Sequence, residues 1–334
     1  MTDQTIPASH GRPGEPDTPY ELPPRAWSAM LGRVRKKLVR DRVSLSAGSL
    51  AYHWFLAFFP AVIAALGVLS LLDLGAATMH RLTNGIDKGL PPGAAGVLDA
   101  AVRAATHRTS GTGVALVVGI AIALWSASGG VSAFQQALDV AYEVPADRKF
   151  LARRLRALPM MAAIAVLGGA GAALIVLGAP IGSAIEGSFP FHGIGFAVLW
   201  NAIRWVGAVV LLSLLFSVLY YLGPNRPAPS WRWVSPGGLF ATAIFLVASL
   251  GFSFYISAFG SYGRTYGSFA GVAILIFWLY LVGLASLIGA EINAEAEREA
   301  AARGGDPAAT SSARHLEAAP ARGAPATSRQ RRAG

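Results

Sequence analysis

The sequence predicts an all-α, polytopic membrane protein with six transmembrane helices and both termini in the cytoplasm. Of its 334 residues, 54% are hydrophobic and only 14% are charged, well below the roughly 25% charged residues of an average soluble domain. Several apolar runs continue for about 20 residues, the length that an α-helix needs to cross a bilayer. The basic residues lie in short clusters beside these runs, a pattern that indicates membrane topology.

Six apolar segments are long enough to cross the hydrocarbon core of a membrane. They lie at about residues 54–74, 113–134, 158–179, 203–222, 237–259 and 268–292. Pro60, inside the first segment, cannot donate a backbone hydrogen bond and predicts a kink there. Gly168, Gly169 and Gly171 permit close helix contact, so the third span is predicted to be the buried centre of the bundle.

The segments outside these spans differ in composition. Residues 1–24 and 299–334 are rich in Pro, Gly, Ala and polar residues and predict disordered tails, the second one basic, on either side of a membrane domain at residues 25–298. Residues 25–42 combine basic side chains with apolar residues at helical spacing, among them Met30 and Val34. This pattern predicts an interfacial helix on an anionic membrane surface.

The distribution of Lys and Arg predicts the orientation. The segments assigned to the cytoplasm hold 21 of these residues, against five in the segments assigned to the outside. The positive-inside rule therefore places both termini in the cytoplasm. Arg204 is expected to snorkel to the outer interface as an anchor. A matching belt of interface anchors is predicted on the inner side at Trp231, Arg232 and Trp233.

Four segments occur in a distinctive order along the chain. They read SLAYHWFLAFFPAVIAALGVLSLL (residues 49–72), ALWSASGGVSAFQQALDVAYEV (123–144), SPGGLFATAIFLVASLGFSFYIS (235–257) and YGSFAGVAILIFWLYLVGLASLIGAEINAE (266–295). Together they resemble the YihY/BrkB family of bacterial inner-membrane proteins. The resemblance implies a six-span protein of the inner, or plasma, membrane. Members of that family have been labelled virulence factor, serum-resistance factor and, formerly, ribonuclease BN.

Polar residues recur every three or four positions after the second span. They are predicted to share one helical face, which holds Ser128, Ser132, Gln135, Asp139 and Tyr142. The opposite face is apolar and holds Val131, Phe134, Leu138 and Ala141. Two interpretations stay open: an amphipathic helix at the membrane interface, or the lining of a crevice that opens to the cytoplasm between walls from spans one and six.

Polar and charged residues also close the last span, where Glu291 and Asn293 lie in the sequence GAEINAE. The helix dipole disfavours a carboxylate at a helix C-terminus, so Glu291 is expected to have a cationic partner, either Arg42 or the basic cluster at residues 153–156. In one interpretation this pair is structural. In the other, Glu291 lies at the mouth of the crevice and takes part in gating or substrate contact.

Catalytic signatures do not emerge from the sequence. Its six His residues are scattered without ligand spacing, it has no Cys, and it contains no phosphate-binding loop, nucleophile elbow or RNA-binding motif. The sequence therefore predicts no catalytic residue, cofactor, metal or nucleic-acid partner. The favoured function is that of a transporter of an amphipathic, lipid-like envelope substrate, with anionic lipid headgroups as partners at the cytoplasmic face. The alternatives are a membrane scaffold and, less favoured, a ribonuclease.

Overall fold

A computed structural model describes residues 23–71, 113–144, 148–186, 193–226, 231–258 and 268–303. All regular structure in these ranges is helical, which confirms the all-α class. The helices are α1 (Pro24–Arg40), α2 (Val43–Leu71), α3 (Gly113–Ala141), α4 (Phe150–Ala163), α5 (Gly169–Ile185), α6 (Ile194–Leu222), α7 (Trp231–Ala258) and α8 (Ser268–Arg303), and a π-helical segment, Ile164–Gly168, joins α4 to α5. The predicted tails lie outside the described residues, apart from the first residues of α1 and the last turn of α8.

Four helical stretches are long and apolar enough to cross a membrane: Phe150–Ile175, Ile194–Leu222, Pro236–Ser257 and Gly271–Glu299. They coincide with the third to sixth predicted spans. The first predicted span falls on α2 up to Leu71, and its last three residues lie outside the described residues; the second falls on α3. The side chains of both helices are described only in part. Pro60 lies inside α2, which is helical on both sides of it.

α8 is the most buried of these four helices. It packs against α1, α2 and α7, whereas the helix formed by α4 and α5 packs against α3 and α6. In the apolar stretch of Gly271–Glu299, 39% of the residues are buried, against 6% in the corresponding stretch of Phe150–Ile175. The prediction that the third span is the buried centre was therefore wrong. Its glycines do approach a neighbour, since Gly168 faces Leu215 of α6, but most of the helix surface is exposed.

α1 lies against the last turns of α8. Met30 and Val34 are buried against Ile292 and Ala296, so an apolar stripe on α1 meets one on α8. The prediction that this stripe faces a lipid surface was wrong, because the end of α8 gives it an apolar protein partner. Arg42, with a φ of 50°, lies in the turn that separates α1 from α2.

The start of α7 packs closely against α8. A Cβ atom at Gly237 would lie 2.5 Å from the Cβ of Asn293 and 2.8 Å from its amide oxygen. Such a distance is shorter than any normal carbon–carbon contact, so this position requires glycine. The close approach places the backbone of α7 beside the first polar side chains at the end of α8.

Candidate functional site

A buried ion pair joins α1 to α8. The ammonium nitrogen of Lys37 lies 2.7 Å from a carboxylate oxygen of Glu291, and both side chains are fully buried. The same nitrogen donates a hydrogen bond of 2.9 Å to the main-chain carbonyl of Ala141, at the end of α3. Glu295 and Glu143 place further carboxylate oxygens 3.6 and 3.8 Å away. Lys37 therefore connects three helices that are distant in sequence.

Three arginines extend this contact into an ion-pair network. Arg33 donates hydrogen bonds of 3.0 Å to Glu295 and 2.6 Å to Glu299. Arg298 lies 2.9 Å from Glu295 and 2.8 Å from Glu143, and Arg40 also contacts Glu143. We use the name ion-pair network for four cations, Arg33, Lys37, Arg40 and Arg298, and four carboxylates, Glu143, Glu291, Glu295 and Glu299.

The charges in this network reinforce one another. Burial disfavours the charged form of Arg33, but its hydrogen bonds to Glu295 and Glu299 outweigh burial and raise the pKa of Arg33. Burial would likewise raise the pKa of Glu143. The hydrogen bond from Arg40 and the charges of Arg298 and Lys37 outweigh it and hold the pKa of Glu143 below its ordinary value. Both groups are therefore charged at neutral pH.

Glu143 has a strained backbone as well. Its φ is 52°, in the left-handed region that side chains other than glycine rarely adopt. The residue lies just after the end of α3, where its carboxylate meets Lys37 and Arg40 of α1 and Arg298 of α8. These ion pairs offset the strain and fix the turn beneath α3.

A second polar cluster surrounds Asn293. The Asn293 amide nitrogen donates to the hydroxyl oxygen of Tyr142 over 2.9 Å and to Glu297 over 3.0 Å. Its amide oxygen accepts a hydrogen bond of 3.2 Å from the main-chain N–H of Gly237. Arg226 forms an ion pair with Glu297, and its guanidinium lies 4.1 Å from the centre of the Tyr142 ring. Burial raises the pKa of Tyr142, so its hydroxyl group is neutral at physiological pH.

The predicted polar face of α3 is enclosed by protein. Relative exposures are 8% or less for Ser128, Ser132, Gln135 and Asp139. Arg148 donates a hydrogen bond of 3.2 Å to the Gln135 amide oxygen. The main-chain N–H of Asn225 donates one of 2.6 Å to the Asp139 carboxylate. The neighbours of this face come from α4, the residues just before it and the segment 223–226, while Tyr142 meets α8. An open crevice along this face stays a prediction.

The cationic partner expected for Glu291 is present, but its identity was predicted wrongly. The partner is Lys37, and neither Arg42 nor the basic cluster at residues 153–156 takes this role. The reason is the position of α1. Once α1 packs along the end of α8, Lys37 reaches Glu291 directly.

Sequence reasoning also missed Arg33 and the pairing between the two helices. A signal for it existed in the spacing of the charges. Arg33 and Lys37 are four residues apart on α1, and Glu291, Glu295 and Glu299 are each four residues apart on α8. Residues with this spacing share one face of a helix, so the two faces have complementary charge.

Comparison with known protein families decides the classification. The family model described as "Virulence factor BrkB" matches residues 34–313. This chain belongs to the BrkB family. The matched region contains Lys37 and every carboxylate of the ion-pair network, and it confirms the resemblance seen in the sequence. No solved structure matches the chain.

Individual BrkB-family relatives agree with this classification. The ribonuclease-like protein YfkH of Bacillus subtilis is 36% identical over 250 residues, which cover 74% of this chain and 88% of YfkH. A UPF0761 membrane protein of Vibrio campbellii is 30% identical over 79% of this chain and 81% of its own length. A UPF0761 membrane protein of Xanthomonas campestris is 28% identical over 80% of this chain. The aligned region spans only 61% of that Xanthomonas protein. This chain is therefore a membrane protein of the BrkB and UPF0761 type.

The remaining predicted positions of this BrkB-family protein are the interface anchors. Arg204 is partly buried on α6, and its guanidinium lies 6.0 Å from the centre of the Trp205 ring. Its role as an outer anchor stays a prediction. The side chains of Trp231, Arg232 and Trp233 lie outside the described residues. Within the described ranges, no group of three or more His, Asp or Glu side chains could hold a metal ion.

Proposed function

We propose that this protein handles an amphipathic, lipid-like substrate in the inner membrane and that the ion-pair network closes the substrate path on the cytoplasmic side. The fully buried pair of Lys37 and Glu291 carries the proposal. Desolvating such a pair costs enough free energy that apolar residues of similar volume are often as stabilising or more so. Buried ionisable residues near the end of a membrane-spanning helix are therefore candidates for a functional role.

The path that we propose follows the polar face of α3. From Asp139, the side chains of Gln135, Ser132 and Ser128 continue along α3 towards the apolar part of the helix. A polar face of this kind would accept a headgroup while the acyl chains stay in lipid. In the closed state α4 and the segment 223–226 cover the face, and the network holds α1, α3 and α8 together beneath it. To open the path, α1 must separate from α8.

Transbilayer movement of a fluorescent phospholipid tests this proposal. The full-length protein is reconstituted in liposomes with a labelled lipid, and a reductant that cannot cross the membrane bleaches the label in the outer leaflet. The double variant Lys37→Met/Glu291→Met removes both charges and replaces them with apolar side chains, so we expect it to fold. It should move the label between leaflets faster than wild type, which should itself exceed protein-free liposomes.

The matched control is Arg35→Met, which replaces an exposed cation on the same helix. This variant should behave as wild type does. If wild type and the double variant both match protein-free liposomes, the proposal fails and the scaffold interpretation becomes the better one. If the Arg35 variant accelerates movement as much as the double variant, the effect is one of net charge and the network is not the closure.

We propose further that the chain crosses the membrane six times with both termini in the cytoplasm. The uneven distribution of Lys and Arg supports this orientation. A reporter that is active only in the cytoplasm, fused to the C-terminal end, should be active. A reporter that requires the outside should be inactive in the same position, and the reverse pattern would overturn the orientation.

The name of YfkH supplies a competing function. YfkH is described as ribonuclease-like, so purified protein should be incubated with structured RNA in the presence of magnesium, manganese or zinc. We expect the RNA to stay intact. Cleavage that is abolished by a point substitution in this chain would replace the transport proposal.

A further inference from the structure

The start of α4 carries cations that the ion-pair network does not include. Arg148, just before α4, has an internal role, because it donates hydrogen bonds of 2.6 Å to the carbonyls of Gly223 and Pro224. Lys149 and Arg156 are exposed and Arg154 is partly so. Within the part of the chain that the structure describes, no carboxylate forms an ion pair with any of these three.

Arg154 is held in a defined orientation. One terminal nitrogen, Nη1, donates a hydrogen bond of 2.7 Å to the main-chain carbonyl of Trp125 and a second one to the hydroxyl oxygen of Ser128. The guanidinium lies 4.8 Å from the centre of the Trp125 ring and 5.3 Å from that of Phe150. Among the described residues, the other terminal nitrogen, Nη2, has no acceptor. Arg154 therefore keeps donors for an acceptor outside the chain.

An exposed apolar stripe runs beside this arginine. Leu151, Leu155 and Leu158 share one face of α4 and are 64, 58 and 48% exposed. By helical geometry Arg154 borders this stripe, whereas Arg156 lies towards the opposite face of the helix. The stripe belongs to the candidate membrane span Phe150–Ile175, so its apolar surface is suited to acyl chains, and Arg154 lies near the end of that span.

The exposed aromatic side chains fit the same position. Trp125 and Phe150 are 58 and 61% exposed, and their ring centres are 6.3 Å apart. Tryptophan is enriched where hydrocarbon meets headgroups, because its ring has a large apolar surface and one polar N–H. The cation, the aromatic pair and the apolar stripe therefore lie side by side on one surface, since the guanidinium of Arg154 contacts both rings.

We propose that this surface is a binding site for one anionic phospholipid. Arg154 binds the phosphate through Nη2, and Lys149 and Arg156 add positive charge nearby. The acyl chains lie along Leu151, Leu155 and Leu158. A lipid suits the site better than a nucleic acid does, because a nucleic acid would leave the leucine stripe in water. The site is separate from the proposed substrate path, since a resident lipid here requires no movement across the membrane.

Native mass spectrometry of the full-length protein in detergent tests the site. Phosphatidylglycerol and phosphatidylcholine are added at equal concentrations, and the retained lipid is counted. Wild type should retain phosphatidylglycerol preferentially. Arg154→Gln removes charge-assisted hydrogen bonds and should weaken this binding about tenfold. Arg154→Lys keeps the charge but loses the planar fork, so its loss should be smaller.

Two further variants keep the result decisive. Arg156→Gln changes an exposed side chain, so it should fold and should weaken retention about threefold, as expected for a nearby charge at partial exposure. Arg303→Gln removes an exposed cation at the far end of α8 and should leave retention unchanged. A thermal unfolding scan of each variant checks its fold.

Several results would overturn the proposal. One is equal retention of the two lipids by wild type, and another is equal loss in the Arg154 and Arg303 variants. A third is displacement of the lipid by a short RNA whose own binding depends on Arg154, which would make the surface a nucleic-acid site. These results are independent of whether lipid crosses the bilayer, so this site and the proposed function can fail separately.

Discussion

The two basic regions of the molecule differ in what surrounds their cations. In the ion-pair network, cations of α1 and α8 meet an equal number of carboxylates, and Lys37 is fully buried. At the start of α4, Lys149, Arg154 and Arg156 have no carboxylate partner within the described residues, and exposed leucine and aromatic side chains lie beside them. The first region is therefore closed by its own charges, whereas the second presents charge to its surroundings.

The difference arises from the acidic face of α8. Both basic segments have alternating cationic and apolar positions in the sequence, and both are typical of a membrane surface. Of the two segments, only α1 lies beside Glu291, Glu295 and Glu299, so its Arg33 and Lys37 turn inward. A cluster of Lys and Arg residues next to a span therefore does not by itself indicate contact with lipid. Whether such a cluster contacts lipid depends on the position of nearby carboxylates.

The largest effect is expected from removing the buried cation. Lys37→Met leaves the carboxyl group of Glu291 buried without its partner, which should cost about 3–5 kcal/mol of stability. The matched substitution in the other region, Arg156→Met, changes an exposed side chain and should stay within about 0.5 kcal/mol of wild type. Thermal and denaturant unfolding in detergent measure both. Equal losses in the two variants would remove the distinction between the regions.

A smaller loss of stability is expected from disturbing the contact between α7 and α8 at Gly237. Gly237→Ala places a methyl group against Asn293 and should cost about 1–3 kcal/mol through overpacking. Gly251 lies on the same helix with no atom near its missing Cβ. Gly251→Ala should therefore cause no loss, and the same unfolding measurements compare the two. A neutral Gly237 variant would mean that the two helices are not in close contact there.

A pH dependence should distinguish the network from the exposed basic region. The ion pairs of Glu143 lower its pKa in the folded state, so its contribution is present above the unfolded pKa of about 4.3. This contribution is lost as the pH falls through the folded pKa, because protonation then favours the unfolded chain. Wild type should lose more thermal stability between pH 6 and pH 3 than Glu143→Gln does. Parallel curves for the two proteins would argue against these ion pairs.

The smallest effect is expected at Asp139. Its carboxylate accepts a hydrogen bond from the main-chain N–H of Asn225, and an asparagine amide oxygen accepts such a bond equally well. Asp139→Asn should therefore change stability by less than about 1 kcal/mol, whereas Asp139→Leu, which has no acceptor, should cost more. Unfolding of both variants tests this order. A severe loss in the asparagine variant would show that the negative charge itself is required.

The helical membrane architecture was predictable because lipid sets strict limits on length and composition. The last four predicted spans coincide with helices that can cross a membrane, since about 20 apolar residues suffice to mark each one. The centre of the bundle was not predictable in the same way. Glycines at 168, 169 and 171 permit close contact but do not require it, and the structure leaves most of that helix exposed.

The candidate site was predictable only in its acidic half. The expectation that Glu291 has a cationic partner was correct, but its reason was not, because α8 continues to Arg303; burial of the carboxylate, rather than the helix dipole, calls for the cation. The choice of partner depends on tertiary structure, because an apolar stripe such as Met30 and Val34 fits a lipid surface and another helix equally well. The same limit applies to α3. The spacing of Ser128, Ser132 and Gln135 defines a polar face, but the residues that cover this face are distant in sequence.

The most direct test of the closed network is the accessibility of Ser132, buried on the polar face of α3. The chain has no natural Cys, so Ser132→Cys gives a single thiol in a side chain of nearly the same size. Its reaction with a bulky, charged maleimide is measured for detergent-purified protein, with Val131→Cys on the opposite face as the control. With the network intact, both thiols should be inert. When Lys37→Met/Glu291→Met is added, the thiol at 132 should react and the one at 131 should not. Rapid labelling at 132 with the network intact, or no increase when it is removed, would contradict the account.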